Sequence, residues 1–363
     1  MKNILLIGPP PSAKGGVTIW MRIVLEYLKS NNPKDLNIVH LAIERSVSLT
    51  HLLPTYKRLY YSIKDYTRGL SNLVIALKKG RYDKVHMVSS LGAGIVRDWL
   101  YVNIIKYLKV EPIVHYHCGT LQNVLKGTGC SKKLLLSTLK KSYKSIVLDE
   151  ASYKAIKGYG LENVVKIGNS FNQEIEELAK IDIERKFNKI LFVGHNVREK
   201  GIFELVEACS TIENITLDIY GPQDALIHSS LNQWINKNGF KGQINFKGLQ
   251  PQVNIYKAMR GAGLFVLPTY TEGFPYVIVE AMASGCPIIT TPVGAIKEML
   301  TYKGNVQGML VDPKDSTSLR EKVMYCLNNY NEVEEMAKKA KEKAYEEYST
   351  EAIMNRFVNL WKE

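Results

Sequence analysis

Short apolar runs alternate with longer stretches of helical periodicity along the whole chain, which predicts an α/β fold with parallel sheets. In the first half, residues 3–7, 85–88, 112–115 and 145–148 read as buried strands. Between them 17–30, 56–79 and 95–108 place apolar residues three and four apart, as amphipathic helices do, with 56–79 forming one helix or two. The second half repeats the scheme, with strands at 189–193, 216–220, 244–246, 264–267 and 287–290 and helices at 204–210 and 275–283. Two similar α/β halves follow, without a short-period repeat. Gly168-Asn-Ser-Phe-Asn172 gives way to a polar, Glu-rich stretch, so the boundary falls within 169–182. Near the end, 350–362 is amphipathic and has Ser349 or Thr350 as its N-cap.

A chain of 363 residues is long for one core, and 45% apolar residues suffice for two. The five cysteines (Cys118, Cys130, Cys209, Cys286 and Cys326) are scattered, odd in number and without metal-ligand spacing. They argue against a disulfide framework and fit a reduced compartment. The apolar run after Met1 is too short for a signal peptide and no window is long enough for a membrane span. The expectation is a cytoplasmic protein, soluble or attached to a surface.

Charge sharpens that expectation because it is unevenly placed. Residues 1–170 hold 26 Lys and Arg against 10 Asp and Glu, whereas 171–363 hold 22 against 25. A basic half suits an anionic lipid, a nucleic acid or a phosphate-bearing substrate. Residues 56–64 mix Tyr56, Tyr60 and Tyr61 with Lys57, Arg58 and Lys64, and 130–144 interleave leucines with lysines at helical spacing. Such stretches lie on anionic membrane with their cations at the headgroups. No recognition module or stacking signature for nucleic acid accompanies them, so a basic nucleic-acid-binding protein is the weaker reading.

The chemistry concentrates in Thr269-Tyr-Thr-Glu-Gly-Phe-Pro-Tyr-Val-Ile-Val-Glu280, where two carboxylates, Glu272 and Glu280, flank a junction of loop and helix. Gly273 permits a tight backbone, and Pro275 suits the first helical turn because its missing N–H costs nothing there. The following amides, of Tyr276 and Val277, point out of a helix start, where unpaired N–H groups and the dipole attract a phosphate. A phosphate between two acids fits a nucleotide-sugar, whose diphosphate takes amides and whose two sugars take hydroxyl acceptors.

Residues 262–294, with Glu272-Gly-Phe-Pro275, Glu280-Ala-Met-Ala-Ser-Gly-Cys-Pro287 and Val293-Gly294, resemble the donor-site segment of the GT-B glycosyltransferases. The resemblance is to their retaining family 4 group, with its Glu-x7-Glu motif. It implies two Rossmann-like domains facing each other across a cleft, with a C-terminal helix returning to the N-terminal domain. The acceptor-binding domain is then 1–170 plus 349–363, and the donor-binding domain 171–348, with closure about a hinge near Asn169. By the same resemblance Glu272, Gly273 and Phe274 lie at the transferred sugar, and Glu280 accepts from the ribose as an ionised carboxylate.

Phe192-Val-Gly-His-Asn-Val-Arg-Glu-Lys-Gly201 supplies the second piece of the donor site. Relatives hold the diphosphate with an Arg directly after the first Gly and a Lys before the last. Lys200 matches. The Arg position is His195, and either Arg198 or His195 takes over its task. Leu249 and the Tyr220-Gly-Pro222 turn are candidates for lining the base. On the acceptor side, Gly8-Pro-Pro-Pro-Ser-Ala-Lys-Gly-Gly-Val17 resembles the family's first loop, with the Gly16 and Val17 amides available to the phosphates. His115-Tyr-His-Cys-Gly119 ends a strand where relatives carry a His facing the reacting sugar. His117 is the candidate, and His115 reads as a buried, satisfied histidine.

These residues imply a transferase that moves a hexose or N-acetylhexosamine from a nucleotide diphosphate sugar, UDP being the commonest carrier among relatives. The acceptor is a glycan or a polyprenyl-diphosphate-linked one, as in capsule, exopolysaccharide or O-antigen synthesis. With no Asp-x-Asp motif at a strand end, cations and the helix start replace a metal, and no cofactor is expected. An epimerase or phosphorylase of the same two-domain form is the competing enzyme, opposed by the Glu272-to-Glu280 context and by the lack of a pyridoxal-lysine segment.

Overall fold

The computed structural model describes residues 1–13, 15–43, 54–92 and 94–363. Lys14 of the first loop lies outside them, as do the side chains of Arg58 and Leu59 in the 56–64 stretch. The chain divides into two units, Met1–Gly168 with Met354–Glu363, and Asn169–Ile353.

The first unit is built on β1 (Lys2–Gly8), α1 (Gly16–Asn31), β2 (Leu36–Ala42), α2 (Thr55–Lys79), β3 (Lys84–Ser89), α3 (Gly94–Tyr107) and β4 (Glu111–Tyr116). It continues with α4 (Leu121–Lys126), α5 (Cys130–Lys141), β5 (Lys144–Val147), α6 (Glu150–Lys157) and β6 (Val164–Lys166). Its six strands are parallel in the order β2-β1-β3-β4-β5-β6. The central strands are covered on both faces, which is why they read as unbroken apolar runs. Ile4, Leu5, Val85, Ile113 and Val114 are all fully buried. The edge strands β2 and β6 were not legible in the sequence. Only Leu36 of β2 and Val164 of β6 are buried, so neither carries a continuous apolar signal.

The second unit runs α7 (Glu174–Leu178), β7 (Lys186–Val193), α8 (Ile202–Cys209), β8 (Thr216–Tyr220), α9 (Ala225–Asn238), β9 (Gln243–Gly248), α10 (Gln252–Gly261) and β10 (Ala262–Leu267). Then follow α11 (Tyr276–Ala283), β11 (Ile288–Thr290), α12 (Ile296–Leu300), the hairpin β12 (Thr301–Tyr302) and β13 (Asn305–Val306), β14 (Met309–Leu310), α13 (Ser316–Asn328) and α14 (Tyr330–Tyr348). The sheet order is β14-β11-β10-β7-β8-β9, again parallel. Because the chain winds outward from β7 to β9 and then returns through α10 to β10 on the other side of β7, the sheet reverses direction between β7 and β10. In such sheets the loops leaving the carboxyl ends of the strands beside that reversal form the ligand crevice.

The final helix α15 (Thr350–Lys362) crosses the division between units after Ile353. Ser349 is its cap, accepting from the Ala352 N–H at 3.2 Å, while Thr350 donates instead to the Phe171 carbonyl at 2.6 Å. Its later residues are part of the first unit's core. The Lys84 ammonium donates to the Leu360 carbonyl at 3.2 Å, and the Trp361 indole donates to His86 Nδ1 at 3.0 Å. Among the described residues no helix is long and apolar enough to cross a membrane, and all five cysteines are free thiols.

Candidate active site

The reversal between β7 and β10 brings together two loops that are 70 residues apart in sequence. One runs from Gly194 through the 3-10 turn Arg198–Lys200 into α8; the other runs from Pro268 to Pro275 and into α11. They are fastened to one another by the Tyr270 N–H and the Thr269 hydroxyl, which both donate to the Glu199 carbonyl at 2.8 and 3.2 Å. Tyr270 also donates its phenol to Glu204 at 2.6 Å. Gly201 has φ +72°, and a Cβ there would run into the Pro268 carbonyl. On the far side, a Cβ at Gly294 (φ +58°) would strike the Glu272 carbonyl, and the Ala295 N–H donates to the Gly273 carbonyl at 2.9 Å. Both glycines are therefore needed for backbone to lie directly on backbone.

This fastening holds Lys200 in an ion pair with Glu272, both side chains only partly exposed. Pro275 is the N-cap of α11, with φ −72° and ψ 121°, so the helix starts at Tyr276, one residue later than expected from sequence. The reason is its extended ψ, which turns the chain into the helix without belonging to it. The Tyr276 and Val277 amides precede the first bond of the helix start, from the Ile278 N–H to the Pro275 carbonyl at 3.2 Å.

Glu280 stands in the second turn of α11 and is 6% exposed. Its Oε1 accepts from Gln252 Nε2 at 3.0 Å and from the Tyr256 hydroxyl at 3.1 Å. Burial pushes its carboxyl up to about 7, with those two bonds opposing the shift. Glu280 is thus part-protonated near neutral pH rather than the ionised acceptor expected, because desolvation outweighs two hydrogen bonds. The Tyr276 phenol, one turn before it, is buried with no partner among the described residues, and burial raises it well above its usual range.

Other donor-side candidates are distributed less simply. The Arg198 guanidinium lies 4.6 Å from the centre of the Phe203 ring, while His195 is exposed. Leu249 is 70% exposed at the start of the loop into α10. The Phe274 ring packs edge-on to Tyr348 at 5.6 Å and is buried, so its side chain is core and only its backbone can face a ligand. Its carbonyl accepts from Asn169 Nδ2 at 3.2 Å.

In the first unit, Gly16 opens α1 behind Gly15, whose φ of 121° is one that a side chain would strain. The His117 N–H donates to the Ser89 carbonyl at 2.7 Å as β4 ends. Its ring lies 3.9 Å from that of His115, and Trp20 packs against His86, His115 and His117 at 5.3, 4.9 and 5.3 Å. His115 is buried as expected but not satisfied: neither of its ring nitrogens has a partner among the described residues, nor do His117 Nε2, His86 Nε2 and the Trp20 indole. Strand alternation shows that such a residue is inside; it does not show what its nitrogens meet. Burial drives His86 and His117 down to about 3 and His115 well below its usual range, so all three are neutral imidazoles.

Three residues of the second unit escaped the sequence reading. Gln252 and Tyr256 sit one turn apart on α10, and their only signal was a polar and an aromatic residue at four-residue spacing after the Leu249 loop. Asn196 is 1% exposed with neither atom of its amide bonded, in the same loop as Lys200. A polar residue three positions after a buried strand was the available clue. Among the described residues no group of three or more His, Cys, Asp or Glu side chains is arranged to hold a metal ion.

Residues 173–345 match the family model of glycosyl transferases group 1. The match spans α7 to α14 and supports the GT-B glycosyltransferase family. An uncharacterized glycosyltransferase of Methanocaldococcus jannaschii is 30% identical over 199 residues, covering 54% of this chain and 50% of its own length. The chain thus spans half of that relative. The capsular polysaccharide biosynthesis glycosyltransferase CapM of Staphylococcus aureus is 24% identical over 305 residues, covering 81% of this chain and 73% of CapM. Sucrose-phosphate synthase from Thermosynechococcus elongatus shares the fold with a TM-score of 0.76 at 18% identity, covering 100% of this chain and 98% of its own. Anabaena HepE in complex with UDP does so with a TM-score of 0.69 at 16% identity over the whole of both chains. The fold is GT-B, an α/β architecture of two doubly wound parallel sheets.

Proposed function

We propose that this protein is a glycosyltransferase, a retaining, metal-independent enzyme that moves a hexose or N-acetylhexosamine from a UDP-sugar to a glycan or polyprenyl-diphosphate-linked acceptor in surface polysaccharide synthesis. One observation carries the reading: Lys200 and Glu272 meet at the reversal of the second sheet, beside the free amides that open α11. CapM and the UDP-bound HepE support the pathway and the donor class.

Donor binding exchanges the partner of Lys200. The diphosphate takes its ammonium and the Tyr276 and Val277 amides, which releases the Glu272 carboxylate to accept from hydroxyls of the transferred sugar. Glu280 accepts from the ribose through the oxygen that Gln252 and Tyr256 leave open. In transfer the bond between C1 and the phosphate oxygen breaks while the acceptor oxygen bonds to C1 on the same face. The acceptor's proton passes to the departing diphosphate, whose charge Lys200 and the amides stabilise. A neutral His117 suits a hydroxyl contact, and Gly16 leaves the α1 amides bare. The basic α2, with Tyr56, Tyr60 and Ile63 exposed beside Lys57 and Lys64, would lie on the cytoplasmic face of an anionic membrane.

Product analysis with UDP-sugars and lipid-linked acceptors, in chelator and without added metal, tests this. Transfer with retained anomeric configuration, slowed by about 10² to 10³ in Glu272→Ala, is the expected result. Activity that appears only with Mn²⁺, or a Glu272→Ala variant that transfers normally, overturns it.

A further inference from the structure

A second concavity lies in the same unit and contains none of Lys200, Glu272 or Glu280. It has a volume of about 480 Å³ and is lined by Lys186 and Lys189 of β7, Tyr220, Lys247, and Gln250, Asn254 and Lys257 at and before α10. It exists because α10 covers only part of its face of the sheet. Beyond the helix, the outward positions of β7, β8 and β9 carry Lys189, Asp218 and Asn245 where a covered sheet would carry aliphatic residues.

The charges there do not cancel. Asp218, itself 2% exposed, pairs with Lys189 at 2.8 Å and reaches Lys247 at 4.0 Å, and it also accepts from Asn245 at 2.8 Å. Lys186 and Lys257 have no carboxylate within ion-pair distance among the described residues, and Glu184 is the single acid on the lining. Four ammonium groups around one hollow repel one another and attract an anion. Gln250 and Asn254 supply amides, and Tyr220 a half-buried phenol, as partners for hydroxyl groups. The volume is that of a small-ligand site.

α10 separates this hollow from the site already described. At about 100° per residue, Gln252, Tyr256 and Met259 share one face of the helix, the face that meets Glu280, whereas Asn254, Lys257 and Gly261 fall on the opposite one. We propose that the hollow binds a phosphate monoester of a hydroxylated molecule, a sugar phosphate being the simplest, on the face of α10 opposite to the one that meets Glu280, with Tyr220 assigned to this hollow rather than to the base.

Isothermal titration of the full chain with glucose 1-phosphate, and separately with inorganic phosphate, tests it. Glucose 1-phosphate binds the wild type more tightly than phosphate does. A Lys186→Glu, Lys257→Glu double variant weakens it by about ten-fold or more, while Lys200→Ala leaves it unchanged. Both reversed lysines are exposed, so an unchanged melting temperature shows that the fold is intact. Loss of binding in Lys200→Ala but not in the double variant would place the ligand in the nucleotide-sugar site and overturn the proposal. Equal binding by wild type and double variant, or none at millimolar concentration, also overturns it. None of these outcomes depends on which donor the enzyme uses.

Discussion

The two units are variations on one doubly wound sheet, yet they place their ionisable groups in opposite ways. In the second unit an ion pair, Lys200 with Glu272, is held between two loops at the sheet's reversal, and a carboxyl, Glu280, is buried behind it. In the first, a cluster of imidazoles is packed around Trp20 and the end of α15, two of them driven to about 3, in addition to the buried Lys84, Asp98 and Asp149. One unit keeps charge at a site where a charged ligand would exchange with it. The other buries Lys84 and Asp98 as well, but its imidazole cluster is neutral. The same fold therefore tolerates opposite responses to pH, because the scaffold fixes where strand ends converge and leaves the chemistry there to the side chains.

The largest effect that tests this contrast is acid unfolding of the first unit. Imidazoles titrate near 6.5 when unfolded, whereas His86 and His117 hold out to about 3 and His115 lies well below its usual range. Between those values the unfolded chain binds protons that the folded unit refuses, so stability falls as pH falls from about 6.5 towards 3, on the order of several kcal/mol. Three of the four tryptophans (Trp20, Trp99 and Trp361) belong to this unit, so their fluorescence reports its unfolding. His115→Phe, which keeps a ring and removes the titration, moves the acid midpoint downward. Coincident acid curves for variant and wild type would remove the contrast.

The next effect falls on rate rather than stability. Lys200→Ala or Glu272→Ala lowers kcat/KM by about 10² to 10³, in the range of a lost charge-stabilising group. Both side chains are only partly buried and the loops are held by backbone bonds to Glu199 and Gly273, so the urea midpoint moves little. A fall in stability matching the fall in rate would mean that the pair is structural, and the two units would then differ less than described.

How much of this was legible beforehand follows the same division. Glu272, Gly273, Glu280 and Lys200 stood out as candidates because short segments of fixed order and spacing carry them, and the structure brings Lys200 and Glu272 together. The strands on either side read clearly because burial on both faces writes an unbroken apolar run. The imidazole cluster did not show, since Trp20, His86, His115 and the pair Phe357 and Trp361 come from four separate segments and meet only when the sheet and α15 assemble. Gln252 and Tyr256 were hidden for a related reason: their partner is a carboxyl 24 to 28 residues away on another helix. Phe274 shows a further limit, for proximity to a motif says nothing about whether a ring turns inward.

Glu280 gives the second unit a pH response of opposite sign. Its carboxyl rises to about 7 from an ordinary value near 4.5, so between those limits the folded state binds the extra proton and stability declines as pH rises. Glu280→Gln removes the buried charge. At pH 8 the variant is more stable by about 1–2 kcal/mol, and below pH 4 the two proteins melt together. Thermal melts at the two pH values read the difference directly. A variant less stable at pH 8 would show that the carboxylate is better solvated than its burial implies.

The smallest effect isolates α10. Gln252 and Tyr256 both donate to Oε1 of Glu280, so each favours the ionised form; on the proposed reading Oε2 then takes a ribose hydroxyl. Removing either donor, in Gln252→Leu or Tyr256→Phe, raises the carboxyl above about 7 by an amount worth about 1 kcal/mol. UDP affinity, which on this reading needs the carboxylate, then reaches half its maximum at a pH higher by up to about one unit. A loss of packing alone would lower affinity equally at every pH. The decisive measurement is thus the midpoint of the UDP binding profile against pH rather than the affinity at any one value. If both variants leave the midpoint in place while Glu280→Gln abolishes the pH dependence, α10 supports the helix beside it without tuning its acid.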